Sequence, residues 1–145
     1  MVDRPVWFKS YSLGDLQGFR NANMGAHIGL EFTEIGPDSL SAKMPVDHRT
    51  TQPFGLLHGG ASCVLSETLG SVAAWMCIDP DTFMVNGVEI NASHLRPARE
   101  GFVLGDCRPV RIGRRLHVWQ TDITHQETGK QICSSRLTVA VIERT

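Results

Sequence analysis

The chain has 145 residues, of which 41% are hydrophobic and 20% charged, the balance of a soluble globular protein with one core rather than two. A formal net charge of −1 supplies no basic field to hold nucleic acid or an anionic membrane, so neither is expected as a partner. Four dispersed cysteines (Cys63, Cys77, Cys107, Cys133) contain no C-x-x-C pair, which argues against a zinc ribbon or a redox motif.

Met1-Val2-Asp3-Arg4-Pro5 lacks the basic-then-apolar layout of a signal peptide, so the expected location is the cytoplasm. No repeat, low-complexity run or charge block divides the chain, and one domain over 1–145 is expected, with 1–23 as an arm. In the arm, Ser12 followed by Asp15 resembles a helix start, with Leu13, Leu16 and Phe19 or Arg20 on one face. Ile28, Leu30 and Phe32 then alternate with polar residues, as do Leu40, Ala42, Met44 and Val46. Gly36-Pro37-Asp38 between them predicts a hairpin.

From about His58 to Ile78 the period changes. Ala61, Val64, Leu65, Thr68, Leu69, Val72 and Met76 recur at helical spacing, and Asp79-Pro80 ends the pattern. Glu67 at the centre and three glycines make a membrane span expensive, so a buried helix is predicted. Strand patterns follow at about 83–96, 102–111, 115–125 and 131–143, separated by glycine turns. Two strands, a helix and four strands joined by short hairpin links predict an α+β fold, an antiparallel sheet of about six strands around one long central helix. Both faces of 131–143 carry apolar residues, which suits one face for the helix and the other for a second subunit.

Three features carry chemistry. Gln52-Pro53-Phe54-Gly55-Leu56-Leu57-His58-Gly59-Gly60 runs directly into the helix, where two glycines leave backbone N–H groups uncovered at the positive end of the dipole. That is a place to hold a developing oxyanion, although the glycines equally suit a tight loop. Glu67 is the lone acid between Asp47 and Asp79, in an otherwise apolar helix. A buried carboxylate costs several kcal/mol unless paired or protonated. Seven residues of helix separate Gly60 from Glu67, about 10 Å of rise. One chain therefore cannot bring both to a single carbonyl carbon, whereas two antiparallel helices in a dimer can. The third feature is basic: His94, Arg96 and Arg99 near one strand end, and Arg108, Arg111, Arg114 and Arg115 around Gly113. Such density suits a small polyphosphate or a solvated hairpin tip. His58 and Ser62 lack an evident acid to complete a triad. His27, His48, His117 and His125 show no metal-ligand spacing, so no metal is expected.

Several segments together resemble the hotdog-fold acyl-CoA thioesterases. They are Met44-Pro45-Val46-Asp47, Gln52 through Ser62, Leu65-Ser66-Glu67, Gly87 through Ala92, His94 through Gly101, and Cys133 through Thr138. The branch is that of the phenylacetate-pathway thioesterases, closest to the 1,4-dihydroxy-2-naphthoyl-CoA hydrolases. The similarity runs from about residue 24 to the end, and the first 23 residues match poorly.

The resemblance implies a long helix wrapped by an antiparallel sheet, in a homodimer that pairs again into a dimer-of-dimers homotetramer with shared sites. It implies hydrolysis of an acyl-CoA thioester, with an aromatic or bulky acyl group preferred and an acyl-carrier protein as another possible donor. Glu67 would be the catalytic carboxylate, as nucleophile or general base, and the Gly60 N–H of the facing subunit would polarise the carbonyl. Gln52 and His58 would orient thioester and water, and Ser71 would position water or the carboxylate. Gly87, His94, Leu95, Arg96, Pro97, Arg111, Ile112, Gly113, Arg114, Arg115 and Leu116 would contact the CoA nucleotide and pantetheine. No cofactor is expected, CoA being part of the substrate. The alternatives are a hotdog hydratase/dehydratase and a non-catalytic acyl-CoA sensor.

Overall fold

The computed structural model describes residues 4–19 and 21–145. Met1, Val2, Asp3 and Arg20, part of the leader and arm-helix expectations, lie outside the described residues. The elements are a 3-10 helix Leu13–Phe19, a short α1 Met24–His27, β1 Glu31–Ile35, β2 Leu40–Pro45, and α2 Gly59–Met76. Four strands follow, β3 Phe83–His94, β4 Phe102–Ile112, β5 Leu116–His125 and β6 Gln131–Glu143.

All six strands form one antiparallel sheet in the order β1-β2-β4-β5-β6-β3, and α2 packs against β2 through β6. This is the expected α+β arrangement, with a different route through the sheet. β3 does not turn back onto β4. The 95–101 segment carries the chain across, so that β4 pairs with β2 while β3 pairs with β6 at the sheet edge. Strand order of this kind is decided by non-local pairing, which period-two patterning does not encode.

The helix buries Leu65, Leu69, Val72, Ala73 and Met76, and the sheet answers with Met44, Val103, Trp119, Ile123, Leu137 and Val139. Close approach requires Gly70, where a Cβ would lie 2.6 Å from Leu137 Cδ2. On β6 the odd-numbered side (Cys133, Ser135, Leu137, Val139) is the buried one, whereas Arg136 and Ile142 of the other side are exposed. No helix among the described residues is long and apolar enough to cross a membrane.

The arm is tied into this core. Ser12 and Asp15 cap the 3-10 helix through reciprocal hydrogen bonds, and Leu16 is fully buried. Trp7 stacks on Trp119 with ring centroids 6.3 Å apart and donates Nε1–H to the Gly36 carbonyl at 2.8 Å. Downstream, β1 begins at Glu31 rather than Ile28. Residues 24–27 form a helical turn capped by Asn23, and Gly29, at φ +76°, makes the exit.

Candidate active site

The loop before α2 is a tight return. Gln52 N–H donates to the Leu56 carbonyl, Gly55 N–H returns to Gln52, and Gly55 takes φ +78°. Leu57 N–H is pinned to Ala98 and His58 N–H to Thr50. The Gln52 amide oxygen accepts the Phe54 N–H, which leaves its NH2 group as the free end. Phe54 stands at the tip, 84% exposed. His58 is the N-cap of α2, and its Nδ1 accepts the Gly60 N–H at 2.8 Å. The expected oxyanion donor is thus held by its own cap, on an exposed edge of the helix. Beside it, a Cβ at Gly59 would lie 2.7 Å from His94 Nε2, so Gly59 lets the imidazole rest on the helix start. Gln52, Gly59, His94, Leu95, Arg96 and Pro97 line one cleft of about 360 Å³ there.

Glu67 lies further along α2 on the wall of a second cavity, of about 490 Å³. Its carboxylate is half-buried, and none of the salt bridges among the described residues involves it. Ser71 sits one turn on, and Thr68, Val72 and Trp75 continue the same stripe. Across from them are Met84 and Val85 of β3, Phe19 of the arm and Arg144 near the chain end. Gly87 faces Glu67 directly: a Cβ there would lie 2.5 Å from Glu67 Oε1. The strand is bulged at this point, with a register shift between Gly87 and Glu89. Gly87 therefore belongs with the glutamate.

Arg111 through Leu116 form the exposed β4–β5 turn, re-aimed by a bulge between Pro109 and Arg111. His117, Val139 and Gly87 are register partners across β5, β6 and β3. The turn thus springs from the same level of the sheet as Gly87, two strand spacings or about 10 Å away. His94 is seven residues of β3 from Gly87, about 23 Å of strand. Arg108 leaves the basic group, because Asp106 and Asp38 pair with it at 2.8 and 3.3 Å. One chain thus gathers three separate groups: the helix start with His94–Pro97, Glu67 with Ser71 and Gly87, and the arginine turn.

The four cysteine thiols are all held above their ordinary value. Burial pushes the Cys77 and Cys107 thiols up to about 12 and Cys133 up to about 11. Burial, and then the Glu67 carboxylate, raise Cys63 as well. His117 is buried in the sheet, and that burial holds its imidazole below the ordinary value, only partly opposed by the Gly113 backbone.

The thioesterase superfamily matches residues 54–132, from the exposed Phe54 through α2 to the start of β6. The 1,4-dihydroxy-2-naphthoyl-CoA hydrolase of Escherichia coli is 49% identical over 137 residues, 94% of this chain and 99% of that protein. The chain belongs to the thioesterase superfamily. Proofreading thioesterase EntH of Klebsiella pneumoniae is 43% identical over 94% of this chain and 98% of its own length. A crystal structure of a thioesterase from Haemophilus influenzae superposes with a TM-score of 0.90 at 45% identity, covering 95% of each chain. This thioesterase therefore has the hotdog fold, and the reaction class is thioester hydrolysis rather than hydration or sensing. The 137 matched residues are more than the stretch from residue 24 to the end can hold, so the alignment extends into the arm.

The sequence reading did not single out Phe19, Thr68, Trp75, Val85 or Arg144 as site residues. The helical members had a usable signal: spacings of four from Glu67 to Ser71 and from Thr68 to Val72 mark one stripe. Phe19 and Arg144 come from the two ends of the chain and had none.

Proposed function

We propose that this thioesterase hydrolyses acyl-CoA thioesters carrying an aromatic or bulky acyl group, releasing the free acid and CoA. The observation that carries this reading is Glu67: a carboxylate with no ion-pair partner among the described residues, on the wall of a largely apolar, aromatic-lined cavity, with a glycine opposite to make room. Glu67 acts on the thioester carbonyl as nucleophile or general base, and Ser71 positions the water or the carboxylate. Thiolate is a good leaving group, so no strong acid is required at sulfur. A relative named as a 1,4-dihydroxy-2-naphthoyl-CoA hydrolase supports such a substrate; an acyl-carrier protein is the other donor the site would accept.

The oxyanion donor comes from the helix start of a second subunit. Seven residues separate Gly60 from Glu67 on α2, about 10 Å, too far for one carbonyl to meet both. β3 offers the means of pairing: it is a 12-residue edge strand with a free outer ladder, and its Val88 is 61% exposed. Antiparallel pairing of two such edges sets one subunit's Glu67 level towards the other's helix start. The incoming carbonyl takes the Gly60 N–H from His58, while Gln52 and His58 orient thioester and water. His94 through Pro97 and Arg111 through Leu116 hold pantetheine and nucleotide, the arginines at the phosphates, and Gly87 leaves space beside Glu67 for the thioester end of the pantetheine. Two dimers assemble into a homotetramer, in the cytoplasm, with no cofactor.

Mixed dimers test the shared site. A Glu67→Ala chain paired with a Gln52→Ala, His58→Ala chain forms one site with both lesions and one with neither. Verified mixed dimers should recover up to about half the wild-type activity per dimer, on that statistical argument. Activity no higher than that of either parent would rule out sharing.

A further inference from the structure

We infer that the Glu67 cavity is an acyl pocket with two polar ends, in which Arg144 binds an acceptor oxygen on the part of the acyl group farthest from the thioester. The preferred substrates would then be thioesters with a ring-sized apolar body bearing a distal hydroxyl or carboxylate. This rests on the reading of Glu67 as the reacting carboxylate. The cavity is an open groove of about 490 Å³, a volume that suits a small organic ligand. Its walls are largely apolar, with Val72 and Trp75 from α2, Met84 and Val85 from β3, and Phe19 set edge-on to Trp75 at 5.0 Å; Thr68 and Ser71 add two hydroxyls on the helix side. Two charged groups, Glu67 and Arg144, also line it. Glu67 is level with Gly87, and Arg144 is anchored five residues of chain away, about 16 Å, by its N–H to the Thr82 carbonyl.

Arg144 is exposed, but its guanidinium is braced from one side. Its Nε–H donates to the Pro80 carbonyl at 2.7 Å and the Phe83 carbonyl at 3.2 Å, which fixes the guanidinium plane. The two terminal nitrogens remain. Among the described residues no carboxylate pairs with Arg144, and neither cation–π contact involves it. A planar fork with fixed Nε and free terminal N–H groups suits a carboxylate or phenolic oxygen. Charge argues the same way. An acidic acyl group entering beside the Glu67 carboxylate would be repelled, and a cation at the opposite end offsets that repulsion.

The test compares kcat/KM for 4-carboxybenzoyl-CoA and 4-hydroxybenzoyl-CoA with that for 4-methylbenzoyl-CoA, in wild type, Arg144→Ala and Arg144→Lys. Glu67→Gln is run alongside on all three substrates. Wild type should favour the oxygenated substrates by about tenfold or more, the scale of a hydrogen bond to a charged group. In Arg144→Ala that ratio should collapse toward one through KM, with Arg144→Lys between. Because the measure is a ratio within one variant, loss of the brace on Pro80 and Phe83 lowers all three substrates together and leaves it intact. No preference in wild type, or a ratio unmoved by Arg144→Ala while Glu67→Gln is inactive, overturns the role of Arg144 and leaves that of Glu67 standing. Full turnover by Glu67→Gln, or none by wild type, overturns both.

Discussion

Gly87→Ala isolates the position of the Glu67 carboxylate from its chemistry. The added Cβ would sit 2.5 Å from Glu67 Oε1, against an ordinary carbon–oxygen contact of about 3.5 Å. The carboxylate must therefore retreat by about 1 Å. It can do so cheaply, because it is the end of a flexible side chain on an open cavity wall and no salt bridge among the described residues holds it. Gly87 does not have positive φ, so alanine adopts its backbone, and the lost glycine entropy offsets part of any strain. Stability should change by less than about 1 kcal/mol. Catalysis is less tolerant: a 1 Å displacement of a reacting group costs about 100-fold. The assay pairs thiol release from benzoyl-CoA with thermal melting, and the expected result is kcat down about 100-fold at nearly unchanged Tm. An unchanged kcat would refute the placement of Glu67 at the reacting carbon.

Trp7→Ala removes the stack on Trp119 and the hydrogen bond to Gly36. A loss of about 3 kcal/mol should lower Tm by roughly 6–12 °C by calorimetry, and a shift under about 2 °C would mean the arm adds nothing to the core. The side-chain hydrogen bond from Arg49 holds the Asp47 carboxyl down at about 2, so its stabilisation is full above the ordinary carboxylate range near pH 4 and is lost as pH falls towards 2. The pair is about one-third exposed, so solvent screening keeps its contribution small; the stability gap between wild type and Arg49→Gln should close across that acid window in denaturant titrations. Arg114→Ala with Arg115→Ala should raise KM for an acyl-CoA more than for the matching acyl-pantetheine, and equal effects would show that the turn does not read the nucleotide.

Much of the molecule was legible because its periods are clean. The five longest elements fall within two residues of their expected limits, and Glu67 declared itself as a lone acid in an apolar helix. What escaped depends on partners distant in sequence. The 12-residue β3 reads as a strand wherever it pairs, and only the fold places it at the sheet edge beside β6. The four-residue α1 is too short for periodicity to register. Two glycines before a helix suggest free N–H groups, yet the local geometry turns His58 Nδ1 back onto Gly60, a cap that spacing does not specify. An arginine next to the chain end reads as a solvated charge until the return of β6 beside β3 sets it on the wall of the Glu67 cavity.

The most direct test of the account is Glu67→Gln beside wild type, with thiol release from benzoyl-CoA and 1,4-dihydroxy-2-naphthoyl-CoA and with CoA affinity measured by calorimetry. The amide keeps the shape and removes the charge and basicity. Turnover should fall by at least about 1,000-fold, the scale of losing a nucleophile or general base, while CoA affinity stays within about threefold. A variant that hydrolyses either thioester at the wild-type rate would contradict the claim that the Glu67 carboxylate carries the reaction.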